Sequence, residues 1–289
     1  MNKPNWLDSS EYPFSSHYSA IDGRQMHYVD EGNGEVVLLI HGTPSWSFDY
    51  RNVIKKLSKT NRCIAPDHIG FGLSEKPVDY TYSTQKHSQN LTEFIKQLGL
   101  KNITMVVHDF GGPIGINYAI EHAHNITRLV ILNTWLFSTK NEPEYKQAEF
   151  ILKSPLLPIL YKYFNFSAAF MVPQSWGDRK KLTAAHLAHF KNPFQKPSDR
   201  LGTLSFAQSL LSDQEWFETI WDRLSILNAI PTLIVWGEKD KFIPVKFAER
   251  LQQKLTNSTL LRLQAGHFVQ DEAAVETTQA LQQFLSANP

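Results

Sequence analysis

"MVVHDFGGPIG", residues 105–115, decides how the chain folds: an apolar run stops at an acid and turns at once into glycines. An ionised carboxylate at the tip of a buried strand is expensive to desolvate, so its presence there asks for a reason. Asp109 could cap the helix suggested by "FGGPIGINYAI", accepting backbone N–H bonds and meeting the positive helix end. It could also be a nucleophile held at a sharp strand-to-helix elbow, where Gly111 and Gly112 supply the tiny residues such a turn needs. Backbone N–H groups would keep a nucleophilic carboxylate ionised too, so the two readings share their physics, and a nucleophilic Asp109 is the expectation. A serine nucleophile is not expected. Position 107 is Val where G-x-S-x-G has Gly, and "GFGLSEK" (70–76) lacks the closing glycine.

Outward from this stretch, β-branched runs alternate with amphipathic ones. "VVLLI" (36–40), "RCIAPD" (62–67), "ITMVV" (103–107) and "LVILNT" (129–134) are spaced to leave room for helices such as "STQKHSQNLTEFIKQLGL" (83–100). "RQMHYVD" (24–30) joins "VVLLI" through "EGNGE", which predicts a hairpin or tight strand connection. Runs apolar on both sides suit a parallel sheet covered by helices, so the fold class is α/β with a mostly parallel central sheet. After "LVILNTW", helix-like aromatic segments run on until "IPTLIVWGEKD" (230–240) resumes the strand pattern. The expectation is a main domain from 1–135 and 230–289, with an inserted helical cap over 136–229. "TLLRLQ" (259–264) would be the last strand and "AVETTQALQQFL" (274–285) the closing helix.

At 289 residues the chain can enclose a site. Lys and Arg total 29 against 28 Asp and Glu, so no broad field draws in nucleic acid or an anionic membrane, and a small neutral partner is expected. The single cysteine, Cys63, excludes an intrachain disulfide and suits the core of a protein in a reducing compartment. The N-terminus lacks the apolar stretch of a signal peptide and no run approaches a membrane span, so the expected location is cytoplasmic. No H-E-x-x-H, Cys/His cluster or G-x-x-x-x-G-K loop occurs, so neither metal nor cofactor is expected. "HLAH" (186–189) suggests a surface pair on a cap helix.

In an open parallel sheet, ligands sit beyond the carboxyl ends of the strands. The residues at those ends are His41 to Pro44, Asp67 to Gly70, Asp109 with Phe110, Asn133 to Trp135, Asp240, and His267. Three of them make a relay in chain order: nucleophile Asp109, acid Asp240, base His267. Gly266 lets a loop present the ring, and Asp240 could hold the imidazole N–H and fix its tautomer. A carboxylate can displace a leaving group at saturated carbon, after which the imidazole activates water against the resulting ester. The backbone N–H groups of Phe110 and Thr43 are placed for the oxyanion.

"HYVDEG", "LLIHGTPSWSFDYR", "APDHIGFGLSEKP", "VVHDFGGPIG", "LNTW", "WGEKD" and "AGHFVQDE", in this order, resemble the haloalkane dehalogenases within the α/β-hydrolase superfamily. The likeness runs from about Tyr12 to the C-terminus and is weakest through the cap. It implies an α/β-hydrolase fold, a small apolar substrate, water as co-substrate, and Asp109, His267 and Asp240 in the roles above. Some relatives place the acid one strand earlier, where this chain has Asn133. Two positions depart from the pattern. Dehalogenases usually grip the halide with an indole directly after the nucleophile and an Asn in "HG-x-P"; Phe110 and Thr43 stand there instead. Trp135 or Trp176 could supply an indole. Epoxide hydrolases, which use two cap tyrosines and for which Tyr145, Tyr161 and Tyr163 are available, and β-lactone-cleaving enzymes remain alternatives on the same relay, as does a non-catalytic binder of an apolar molecule.

Overall fold

The computed structural model describes residues 4–288. β1 (His17–Ile21) and β2 (Arg24–Glu31) form an antiparallel hairpin closed by Asp22 and Gly23, both at positive φ. β3 (Val36–Ile40) follows, then α1 (Arg51–Leu57), β4 (Arg62–Pro66), α2 (Thr84–Gln97), β5 (Ile103–His108), α3 (Gly111–Glu121) and β6 (Ile126–Leu132). The expected link between β2 and β3 is tight but not a hairpin. β4 lies between the two strands, antiparallel to β2 and parallel to β3. The turn instead tucks under the end of α1: a Cβ on Gly32 would meet the Ser58 and Asn61 carbonyls at 2.3 Å.

The sheet order is β1-β2-β4-β3-β5-β6, continued by β7 (Thr232–Gly237) and β8 (Ser258–Leu263), with every pair from β4 onward parallel. The chain leaves β3 toward β4 on one side and returns as β5 on the other. That reversal opens a crevice where the loops after β3 and β5 diverge, the usual ligand position in such sheets. β5 is buried at all six positions, and Cys63 lies in the buried part of β4, where burial pushes its thiol up to about 12.

Between β6 and β7 the described chain holds helices and no strand: α4 (Pro143–Leu152), α5 (Leu157–Phe164), α6 (Val172–Ser175), α7 (Ala184–Lys191), α8 (Leu201–Ser212) and α9 (Gln214–Arg223). Ile220, Leu224 and Leu227 are buried in the same core as the sheet, and α9 packs on α3. We therefore propose to end the cap near Asp213, ahead of the 229 boundary that the strand pattern suggested. After β7 come α10 (Val245–Lys254), α11 (Val269–Glu272) and α12 (Ala274–Ala287). No helix among the described residues is long and apolar enough to cross a membrane.

The histidines of "HLAH" are not a surface pair. His189 is buried, stacked on Phe48 at 4.3 Å, and His186 approaches the buried Asp271 carboxylate at 2.6 Å. They tie α7 to the main domain: His186 meets the Asp271 carboxylate, while His189 stacks on Phe48 and accepts the Asp8 N–H.

Candidate active site

The elbow after β5 takes the shape its sequence allows. Asp109 has φ 51, a left-handed conformation that Asp tolerates better than most residues. Gly111 permits the close approach of the β3 end, since a Cβ there would lie 2.3 Å from the Ile40 carbonyl. Val107, which takes the place of the motif's first glycine, is accommodated from the opposite side: a Cβ on Gly115 would come within 2.7 Å of its Cγ1.

Asp109 is nearly buried and its two oxygens are differently engaged. Oδ1 accepts the Thr43 backbone N–H at 2.7 Å, and the Phe110 N–H also bonds the carboxylate. Oδ2 faces His267 Nε2 at 3.4 Å. His267 Nδ1 lies 2.8 Å from Asp240 Oδ2, whose other oxygen accepts the N–H groups of Phe242 and Ile243. Burial alone would raise the Asp109 carboxyl, but the His267 hydrogen bond and charge outweigh it and hold it below the usual range. Burial likewise works against an imidazolium, yet Asp240 and Asp109 outweigh it and push His267 up to about 10. The three residues expected from the sequence thus meet in one line.

Asn133, at the corner where some relatives carry the acid, is part of the arrangement. Its Nδ2 donates to Asp240 Oδ2 at 2.8 Å and its Oδ1 accepts the Gly237 N–H at 2.9 Å. An ionised residue there would confront Asp240 across that distance, so the amide suits a chain whose acid follows β7. The loop carrying His267 is clamped by glycines: a Cβ on Gly237 would lie 1.9 Å from the Gly266 carbonyl, and one on Gly266 2.1 Å from the Ser175 carbonyl of the cap. Glu272 spans this junction, accepting the N–H groups of Gly177, Asp178 and Gly266.

Of the groups placed near the leaving-group end, Thr43 Oγ1 and Trp135 Nε1 are both buried without a hydrogen-bond partner among the described residues. Trp135 meets the Phe110 ring edge-on at 4.8 Å. Trp176 stacks on Phe268 and packs against Phe190 and His186, which is the surrounding of a core residue. Among the cap tyrosines only Tyr161 feels the Asp109 charge, which, after burial, pushes its phenol up. Tyr163 is exposed, and Tyr145 shares its field with Glu149 and Lys153 on α4.

Sequence patterning missed a second buried layer behind the relay. His108 Nε2 donates to the His267 carbonyl at 2.9 Å, while its Nδ1 lies 3.6 Å from Asp49 Oδ2. Asp49 Oδ2 accepts from Ser45 and Gln270, and its Oδ1 has no partner among the described residues. Burial first, then the Asp271 charge, pushes Asp49 up to about 7. The signal was an acid inside the aromatic run "WSFDY", a place with little water to solvate it. Because the native state holds this group above its ordinary value of 3.8, ionising it costs stability that is absent below pH 4, grows toward pH 7 and is full above. Asp49→Asn is therefore expected to melt several degrees above wild type at pH 8 and to lose that advantage near pH 4, as thermal unfolding at the two pH values would show.

No group of three or more His, Cys, Asp or Glu among the described residues is arranged to hold a metal ion. Residues 35–274 match the alpha/beta hydrolase fold family. The chain is 34% identical over 95% of its length to a cis-3-alkyl-4-alkyloxetan-2-one decarboxylase of Shewanella oneidensis, covering 89% of that protein. It is 33% identical over 92% of its length to haloalkane dehalogenase 2 of Mycobacterium tuberculosis, covering 93% of it. Among solved structures, DBJA (mutant delta) superposes with a TM-score of 0.84 at 26% identity, over 94% of this chain and 98% of that one. The haloalkane dehalogenase DatA from Agrobacterium tumefaciens shares the fold with a TM-score of 0.87 at 22% identity, over 98% and 100% of the two chains. The elbow, the sheet order and these likenesses agree that the chain belongs to the α/β-hydrolase family, on the branch that holds the haloalkane dehalogenases.

Proposed function

We propose that the protein is a haloalkane dehalogenase in which Asp109 is the nucleophile, His267 the base and Asp240 the acid that holds the base. The observation that carries this reading is the split engagement of the Asp109 carboxylate. Oδ1 accepts the Thr43 backbone N–H, whereas Oδ2 faces the His267 imidazole, so Oδ2 is the oxygen placed to attack carbon. Displacement forms the Oδ2–carbon bond and expels halide, leaving an alkyl ester. Ester formation removes the Asp109 charge, one of the two that raise His267, so the imidazole gives up its proton more readily and can take one from water. The hydroxide attacks Cγ of Asp109, the developing oxyanion on Oδ1 keeps the Thr43 and Phe110 N–H donors, and the alcohol leaves as the carboxylate re-forms.

The Phe110 side chain has no N–H to offer a halide. Thr43 Oγ1 and Trp135 Nε1 are the donors this chain has in their place, and both being buried without a partner supports the assignment. Trp135→Phe, which keeps an aromatic ring against Phe110 and removes the donor, is expected to slow halide release roughly a hundredfold. An unchanged rate would remove Trp135 from the site.

The second reading, cleavage of a β-lactone ring, is favoured by the decarboxylase relative and by the missing indole at Phe110. Epoxide opening is not favoured, since a single cap tyrosine lies by Asp109. A panel of short bromoalkanes, epoxides and a dialkyl β-lactone distinguishes them. Bromide and alcohol released together are the expected products; carbon dioxide and alkene from the lactone, with no bromide from any haloalkane, would replace the first reading by the second.

A further inference from the structure

The cap carries an exposed apolar face that the relay does not use. Between Phe150 and Phe170, seven large apolar side chains are exposed, among them Phe150 at 84%, Phe164 at 68% and Tyr163 at 66%; elsewhere such residues are scattered singly. On α5, Leu156, Ile159 and Tyr163 follow at spacings of three and four and so form one outward stripe. The inward side of the same helix is apolar as well, with Leu157 and Tyr161 buried against Leu204 and Ala207 of α8. Leu152 at the end of α4 and Phe166 pack against that same cluster, and Phe166 stacks on Phe170, which brings the exposed residues of α4 and of the turn beside α5. A helix apolar on two sides and exposed apolar patches of this kind mark interaction sites.

Charge says which surface. Residues 136–213 hold ten Lys and Arg against six Asp and Glu, leaving 19 against 22 for the remainder of the chain. The near-zero net charge conceals a basic cap on an acidic body. The acids of α4 and its cap position are already engaged: Glu142 and Glu144 with Lys246, Glu149 with Lys153. Lys146, one turn before Phe150, and Lys162, three residues after Ile159, form no ion pair among the described residues. Aromatic and aliphatic side chains flanked by unpaired lysines are the composition of a surface that lies in the headgroup region of an anionic bilayer.

We propose that the outer face of α4, α5 and the turn through Phe170 docks on an anionic lipid bilayer, which places the cap over a reservoir of apolar substrate. α8 links this face to the relay, since its Phe206 packs on Phe110 at 4.6 Å. The docking does not rest on the aspartyl chemistry, and binding can be read without turnover.

The test is co-sedimentation of the full chain with vesicles of phosphatidylcholine containing about one third phosphatidylglycerol, and with phosphatidylcholine alone. Binding to the anionic vesicles, weakened by 0.5 M salt, is expected. Phe150→Ser with Phe164→Ser should lower the partition coefficient by about tenfold or more, and Lys146→Glu or Lys162→Glu by about fivefold each. Val78→Ser, an exposed apolar residue outside the cap, should change nothing. All variants should melt as wild type and turn over a short water-soluble substrate equally. Absence of pelleting with either vesicle, or pelleting indifferent to these substitutions, would overturn the proposal. So would a dimer in solution that the double Phe→Ser variant dissociates, because a second copy would then be the occupant of the face.

Discussion

Asp109→Asn is expected to lose about 10⁴-fold or more in kcat/KM while folding normally. The substitution keeps the shape of the side chain, and Asn tolerates positive φ as well as Asp does, so the elbow at φ 51 is undisturbed. The Thr43 N–H can still be accepted by the amide oxygen. What disappears is the anionic Oδ2 facing His267, and with it the atom that would bond to carbon. A loss of this size is typical when a covalent nucleophile is removed and only binding and oxyanion donors remain. Halide release measured beside a thermal melt separates the two effects. Turnover within tenfold of wild type would mean that Asp109 only caps α3, and the covalent route would have to be abandoned.

His267→Gln should fail differently. Displacement at carbon needs the carboxylate alone, so the variant is expected to release about one halide per chain and then stop, with steady turnover down by roughly 10²–10⁴-fold. Mass spectrometry should find the alkyl group, less one proton, on the peptide containing Asp109. Wild type at low pH should drift toward the same behaviour. The two carboxylates that push the resting imidazole up to about 10 become one when Asp109 is esterified, so the group that must be neutral for hydrolysis titrates lower in the ester than in the free protein. As pH falls through that lower value the ester accumulates, and as pH rises through it hydrolysis recovers. A variant that neither bursts nor accumulates label would show that His267 acts before the covalent step.

The elbow was legible because its chemistry is local: a strand must end and a helix begin within three residues, and few side chains survive that geometry. Asp240 and His267 were legible for a related reason, each lying in the short loop that follows the carboxyl end of a strand. Of the two links that "EGNGE" allowed, hairpin or tight connection, the chain makes the second, since a turn signal specifies a turn and not which strand will insert beside it. The histidines of "HLAH" looked like surface residues because nothing in their own helix announces that Phe48 and Asp271 wait on the other side. Asp49 and His108 escaped notice for the same reason, being remote in sequence and joined only through burial.

What the sequence determined by itself was the alternation of strands and helices from "RQMHYVD" onward, the elbow at Asp109 and the positions of Asp240 and His267 in the loops that follow later strands, set by periodicity and by backbone conformations that only certain side chains allow. The tertiary structure alone decided which oxygen of Asp109 accepts the Thr43 N–H and which faces His267, that Asn133 braces Asp240, and that Asp49 and His108 meet behind them. Those outcomes depend on distances between segments scores of residues apart, and a linear pattern carries no such distances until packing brings the segments together.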